Sequence, residues 1–147
     1  MKRLFLTVGI PGAGKSTWVK EYQKKYPAMV IVSTDEIRKE LTGTSCCDPN
    51  QNTMIHEEAR KRVKHLLGEG KDVIVDSTNV ELGEWVKYKQ LDPNVLLTAK
   101  VFNVEPEEAF EREKNRERVV PLSVLEMKWQ QLTHNKPFMP FIFNFII

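Results

Sequence analysis

Apolar and polar positions follow two rhythms along the chain. Short, nearly unbroken apolar runs occur at 3–9 (RLFLTVG), 29–33 (MVIVS), 72–76 (DVIVD) and 95–104 (VLLTAKVFNV). Runs of that length predict strands covered on both faces. Between them the apolar spacing lengthens to three and four. Ile55, Ala59, Val63, Leu66 and Leu67 share one face of a predicted helix over 55–67, with Glu58 four residues before Arg62 and Gly68 and Gly70 ending it. In the segment 105–118, Pro106 and acids come first and bases later, the order a helix dipole favours. Pro121 opens a last helix with Leu122, Leu125, Trp129 and Leu132 on one face. Alternation of apolar strands with amphipathic helices predicts an α/β fold: a central parallel sheet of four to five strands with helices on both faces. Such sheets bind ligands beyond the carboxyl ends of their strands, so the loops after residues 9, 33, 76 and 104 should form one functional surface.

Composition narrows the picture. The 147 residues fit a single domain, 1–147. A net charge of +2 gives no reason on its own to expect a nucleic-acid partner, although a local patch could. The run RKRVK (60–64) is either such a patch or a solvated helix face. Cys46 and Cys47 are adjacent, which excludes a disulfide framework or metal-ligand spacing and suits reduced thiols in a cytoplasmic loop. The apolar run near the amino end is too short for a signal peptide and reads as a buried first strand. The apolar tail FMPFIFNFII (138–147) is about half the roughly 20 residues of a membrane span. It is expected to dock on the core, or to serve as a partner surface. No membrane association is expected.

The chemistry begins at GIPGAGKST (9–17). Gly9-x-x-x-x-Gly14-Lys15-Ser16 matches the phosphate-binding loop, and it stands where that loop requires, after a strand and before a helix. Glycines let backbone N–H groups converge without Cβ clashes, so Gly12, Ala13, Gly14, Lys15, Ser16 and Thr17 can cradle phosphate oxygens at a helix start. Lys15 would neutralise the β- and γ-phosphates and the Ser16 hydroxyl would ligate Mg²⁺. The plain alternative is a left-handed helix entry. Guanine selectivity of the switch type is not expected, because the Asn-Lys at Asn135-Lys136 is followed by Pro-Phe.

Two further loops carry acids. In VSTDEIRKEL, Asp35 and Arg38 lie three apart at a helix start and project from one face. Ser33 and Glu36 can form a capping box with Asp35 as a first-turn acid. That accounts for the acids and leaves an arginine where positive charge is unfavourable. The functional reading accounts for both: Asp35 orients an attacking hydroxyl and accepts its proton, and Arg38 grips a phosphate on the acceptor. Asp76, ending VIVDSTN, either acts on bound Mg²⁺ through water or, with Thr78 and Asn79, ties down a turn; one turn can do both. Arg112, Lys114, Arg116 and Arg118 cluster at the end of the fifth helix. They read as a solvated helix end or as an arginine-bearing lid, about 112–120, over the transferring phosphate. Arg112 and Arg116, four apart, would share a face.

The segments TVGIPGAGKSTW, STDEIR, VIVDSTN and EREKNRERVVPLSVL resemble, in order and spacing, the phage-type polynucleotide 5′-hydroxyl kinases and the wider P-loop kinases around them. The likeness spans roughly residues 3–133. It implies ATP and Mg²⁺ at Lys15 and Ser16, Asp35 as general base and Arg38 on the acceptor's phosphate. It also implies Arg116 as the lid arginine, interchangeable with Arg118 because the lid is one residue shorter, with Arg112 nearer the nucleotide. In the phage enzymes the acid of the Asp-Ser-Thr-Asn stretch falls one position later and a phosphatase domain follows; no residues here correspond to the latter.

The implied activity is transfer of the γ-phosphoryl of ATP to the 5′-hydroxyl of a DNA or RNA end. It belongs to nucleic acid repair in the cytoplasm of a cell or an infected host cell. Trp18, Trp85 and Trp129 are candidates to stack a terminal base, or are core residues. Two rivals remain: a P-loop kinase of a small metabolite or nucleotide, and a non-catalytic ATP-binding interaction module that docks a partner through the tail. Oligomeric state is not encoded in any motif.

Overall fold

A computed structural model describes residues 2–44, 49–116 and 119–147. Its core is a five-stranded parallel sheet in the order β2-β3-β1-β4-β5. The strands are β1 (Arg3–Val8), β2 (Val30–Ser33), β3 (Val73–Asp76), β4 (Leu96–Val101) and β5 (Phe145–Ile146). The helices are α1 (Lys15–Lys25), α2 (Thr34–Thr42), α3 (Asn52–Gly68), α4 (Leu82–Lys89), α5 (Pro106–Glu113) and α6 (Leu122–Asn135).

Strand side chains alternate between faces, and this decides which helix packs where. Leu4, Leu6 and Val8 of β1 join Val73 and Val75 in a cluster with Ile55, Ala59, Val63 and Leu67 of α3 and Trp85 and Tyr88 of α4. Phe5 and Ile74 face the other way, onto Val19, Trp18 and Tyr22 of α1. A third cluster joins Ile10 and Ala13 to Ala109 of α5 and Leu125 of α6, so the loop after β1 is roofed by the last two helices.

The tail folds back as expected. Met139 and Phe143 are buried in the main core, and Phe145–Ile146 pairs with Thr98 and Ala99 as the fifth strand. No helix among the described residues is long and apolar enough to cross a membrane.

The fifth helix stops at Glu113, short of the expected 118, and the chain turns over Lys114–Arg116. Arg112 therefore lies inside α5 and Arg116 beyond its end, so the two do not share a helical face. Arg118, Cys46 and Cys47 lie outside the described residues.

Candidate active site

Strand order brings the candidate loops together. β1 and β3 are neighbours, so the glycine loop and Asp76 emerge side by side. Ser33 is in register with Asp76, which sets the first turn of α2, and Asp35 with it, on the far side of that acid.

The glycine loop has the backbone that its residues permit. Gly12 and Gly14 have φ of 84° and 90°, left-handed values that a side chain disfavours. A Cβ on Gly12 would also stand 2.8 Å from Glu113 Cγ and 2.9 Å from the Ala109 carbonyl oxygen, so α5 presses directly on the loop. Gly14 begins α1 with no side-chain cap, leaving the first amides of the helix to face an anion.

Lys15 is buried, and its Nζ donates to the Ile10 carbonyl at 2.7 Å. Burial pulls its pKa down from 10.5 to about 8. The charges of Asp76, Asp35 and Glu113 oppose that shift and Lys128 adds to it. Asp35 and Asp76 thus both act on the cradle lysine. The Ser16 hydroxyl donates to Asp76 Oδ2 at 3.0 Å. Burial pushes the Asp76 carboxyl up, while the Ser16 hydrogen bond and Lys15 draw it down. These are hard oxygen donors at one point. They fit Mg²⁺, which takes one or two protein oxygens and completes its shell with phosphate and water.

The turn after β3 is held from four directions. The Gly9 N–H donates to Thr78 O at 3.0 Å, and Asn79 Nδ2 donates to Thr7 O at 2.8 Å. Thr34 Oγ1 donates to Ser77 Oγ at 2.9 Å, and Trp85 Nε1 donates to Asn79 O at 2.6 Å. Asn79 sits at φ 47°, a left-handed value that asparagine tolerates.

Asp35 is exposed in the first turn of α2 with its charge acting on Lys15, and Arg38 one turn later is only 5% exposed. Ser33 caps this helix, its Oγ accepting the Glu36 amide at 3.3 Å. Capping and the cleft-facing acid therefore coexist. Arg38 Nη2 donates to Asn52 Oδ1 at 2.9 Å, but its buried Nε and Nη1 have no partner among the described residues. A buried guanidinium with idle donors fits an incoming anion. His56, one turn beyond Asn52, also has an unpartnered buried Nδ1; burial pulls its pKa down.

The lid arginines are held apart. Arg112 pairs with Glu108 at 2.8 Å, and its Nη1 lies 3.9 Å from where a Cβ on Gly14 would stand. Arg116 is largely exposed and pairs with Glu113. The structure thus places Arg112 over the loop and leaves Arg116 outside it.

Other candidates fall elsewhere. Trp85 is fully buried against Phe143 and unavailable to a base. Trp18 stacks on Tyr22 at 4.8 Å, and Trp129 packs on the Ile10 cluster under Lys136. Only Lys61 and Lys64 of the basic run are exposed. Arg60 is half-buried and pairs with the buried Glu84 at 2.7 Å, Arg62 pairs with Glu40 and Glu58, and Val63 is core. Grooves of about 420 and 860 Å³ flank the β2 edge, and neither includes a glycine-loop residue. The chemistry gathers in the cleft above the sheet. Asn52 and Lys128 carry no sequence motif and emerge only from the structure.

Comparison with known proteins agrees with this geometry. A chain of the Pnkp1/Rnl/Hen1 RNA repair complex matches with a TM-score of 0.79 and 28% identity, over 92% of this chain and 45% of that one. This chain therefore spans less than half the length of that relative. Shikimate kinase from Bacteroides thetaiotaomicron matches at TM-score 0.62 and 19% identity, over 99% and 85% of the two chains. Gluconokinase from Sinorhizobium meliloti 1021 matches at TM-score 0.56 and 18% identity, over 87% and 73%. At such identities the two small-molecule kinases share the fold and nothing finer. The profile of the AAA domain family covers residues 4–135, from the first strand to the end of α6. The protein therefore belongs to the AAA domain family and has the fold of a P-loop kinase.

Proposed function

We propose that this protein transfers the γ-phosphoryl group of ATP to the 5′-hydroxyl of a DNA or RNA end, with residues 1–147 working as one domain and 112–120 as its lid. The observation that carries this reading is Arg38: a buried guanidinium with two donors idle among the described residues, one helical turn from an acid whose charge acts on Lys15. A polynucleotide end offers both a hydroxyl for Asp35 and a neighbouring phosphate for Arg38. The 28% identity with a chain of an RNA repair complex supports the same acceptor class.

In this scheme the amides of Gly12, Ala13, Gly14, Lys15, Ser16 and Thr17 hold the phosphates. Lys15 leaves the Ile10 carbonyl to neutralise the β- and γ-phosphates. Asp35 aligns the hydroxyl. Its oxygen bonds to the γ-phosphorus while the bond to the β–γ bridging oxygen breaks, the proton passes to Asp35, and ADP leaves. Arg112 contacts the nucleotide from above Gly14. Arg116, once released from Glu113, reaches the transferring phosphate. Ser16 and, through water, Asp76 would hold Mg²⁺, which would neutralise phosphate charge.

The deciding experiment offers γ-labelled ATP together with DNA and RNA oligonucleotides bearing a 5′-hydroxyl, and in parallel gluconate, shikimate and nucleoside monophosphates. Label on the oligonucleotide 5′ end is expected. Label on a small molecule alone would move the acceptor class to metabolites. ATP binding without any transfer would leave an ATP-binding module.

A further inference from the structure

Helix α6 crosses the cleft with one stripe of residues facing inward. Leu125, Lys128, Leu132 and Asn135 are spaced three, four and three apart and fall within one side of the helix. The two ends of the stripe are anchored at the two walls of the site. Leu125 packs with Ile10 and Ala13 of the glycine loop. Asn135 Nδ2 donates to the Val80 carbonyl at 2.9 Å, in the turn after β3. Lys128 stands between these anchors, one turn beyond Leu125.

Lys128 is half-buried and makes no hydrogen bond or ion pair with any described residue. Its charge is felt at Lys15, which it destabilises. Two like charges brought to one cleft are unfavourable while it is empty and favourable once a polyanion enters. The need for a second cation is plain from the other charges there. Asp35, Asp76 and Glu113 also act on Lys15, and a triphosphate would bring further negative charge against them. Ser16 and Asp76 meet between the glycine loop and the turn after β3, where an ion bridging β- and γ-phosphates would sit, so a cation on the stripe between the two anchors is placed toward the γ end.

We infer that Lys128 is a second phosphate-binding cation, contacting the γ-phosphate of the nucleotide from the α6 side of the cleft. This rests on the reading that the glycine loop holds a nucleoside triphosphate, and it does not depend on the acceptor. The contact exists for ATP and not for ADP, and that difference provides the test.

Equilibrium binding of ATP and of ADP, each with Mg²⁺, is measured for the wild type, Lys128→Met and Lys128→Arg. Methionine keeps the apolar stem and removes the charge. Its ATP affinity should fall about tenfold or more, the scale of one charge-assisted contact, with ADP affinity changed less than about twofold. Arginine should restore most of the ATP affinity. Equal losses for ATP and ADP, or no loss for either, would overturn the assignment of Lys128. A wild-type protein that binds neither nucleotide would instead remove the triphosphate reading on which it stands.

Discussion

Arg38 and Asn52 meet across the gap between α2 and α3, Nη2 donating to Oδ1 at 2.9 Å, and this is the only described contact of a guanidinium that is almost wholly buried. The contact fixes one edge of the fork and leaves the Nε–Nη1 edge free. Arg38→Ala should therefore raise KM for a 5′-hydroxyl acceptor by about tenfold or more while ATP binding is unchanged. Arg38→Lys should not rescue it, because a point charge lacks the planar fork. Asn52→Ala should raise acceptor KM less, and add nothing in an Arg38→Ala background. Steady-state kinetics on the two single variants and the double variant decide this; additive effects would separate the two residues.

Asp35 is exposed and its charge reaches Lys15, so its removal should affect transfer far more than folding. Asp35→Ala is expected to lower kcat by about 10²- to 10⁴-fold, the range for a positioned general base. ATP affinity should stay within a few-fold. Single-turnover transfer to an oligonucleotide, beside ATP titration, checks both halves. Full transfer activity in the variant would exclude Asp35 as the base.

Lys15 gives a pH signature. Its amine has an ordinary value of 10.5 when unfolded and about 8 in the folded protein. Between these values the unfolded chain holds more protons, so stability of the empty protein should rise with pH across that window. Below pH 8 the buried charge is a constant cost, on the order of a few kcal/mol. Lys15→Met should thus melt higher than wild type at pH 7, with the gap closing by pH 10.5, although it loses ATP binding. ATP affinity of the wild type should weaken as pH rises above 8, because the amine must then take up a proton to meet the phosphates. Thermal melts and ATP titrations across pH 7–10 measure both effects.

Two glycines with similar backbone angles should respond differently to alanine. Gly12 and Gly43 have φ of 84° and 78°. At Gly43 a Cβ meets no described residue within 4 Å, whereas at Gly12 it collides with Glu113 and the Ala109 carbonyl. Gly43→Ala should cost about 1–2 kcal/mol for the left-handed conformation alone. Gly12→Ala should cost more and push α5 off the loop, weakening ATP binding as well. Chemical denaturation of the two variants compares them directly.

What could be read from the chain and what could not follow from range. The glycine loop was legible because its pattern is local and its strand-helix setting is written on either side. Asp35, Asp76 and Lys15 converge because parallel strands place consecutive loops on one edge, a rule that needs only the strand assignments. The register of Ser33 with Asp76 then does the rest. Contacts between distant segments were not legible. Nothing in the run RKRVK announces that Arg60 pairs with Glu84, 24 residues on. The two-residue strand Phe145–Ile146 is too short to show a period. The end of α5 at Glu113 carries no glycine or proline to mark it, so the sequence pattern runs on to 118 and includes Arg116, which the structure puts beyond the helix. Asn52 and Lys128 gain meaning only from what they face.

The bond from Lys15 to the Ile10 carbonyl gives the loop's lysine a buried partner on the loop's own backbone. Nucleotide entry is then an exchange of partners, in which one oxygen is surrendered before others are won. Measured affinity reports only the difference between the two arrangements. Variants that loosen the resting bond should tighten binding without ever touching the guest.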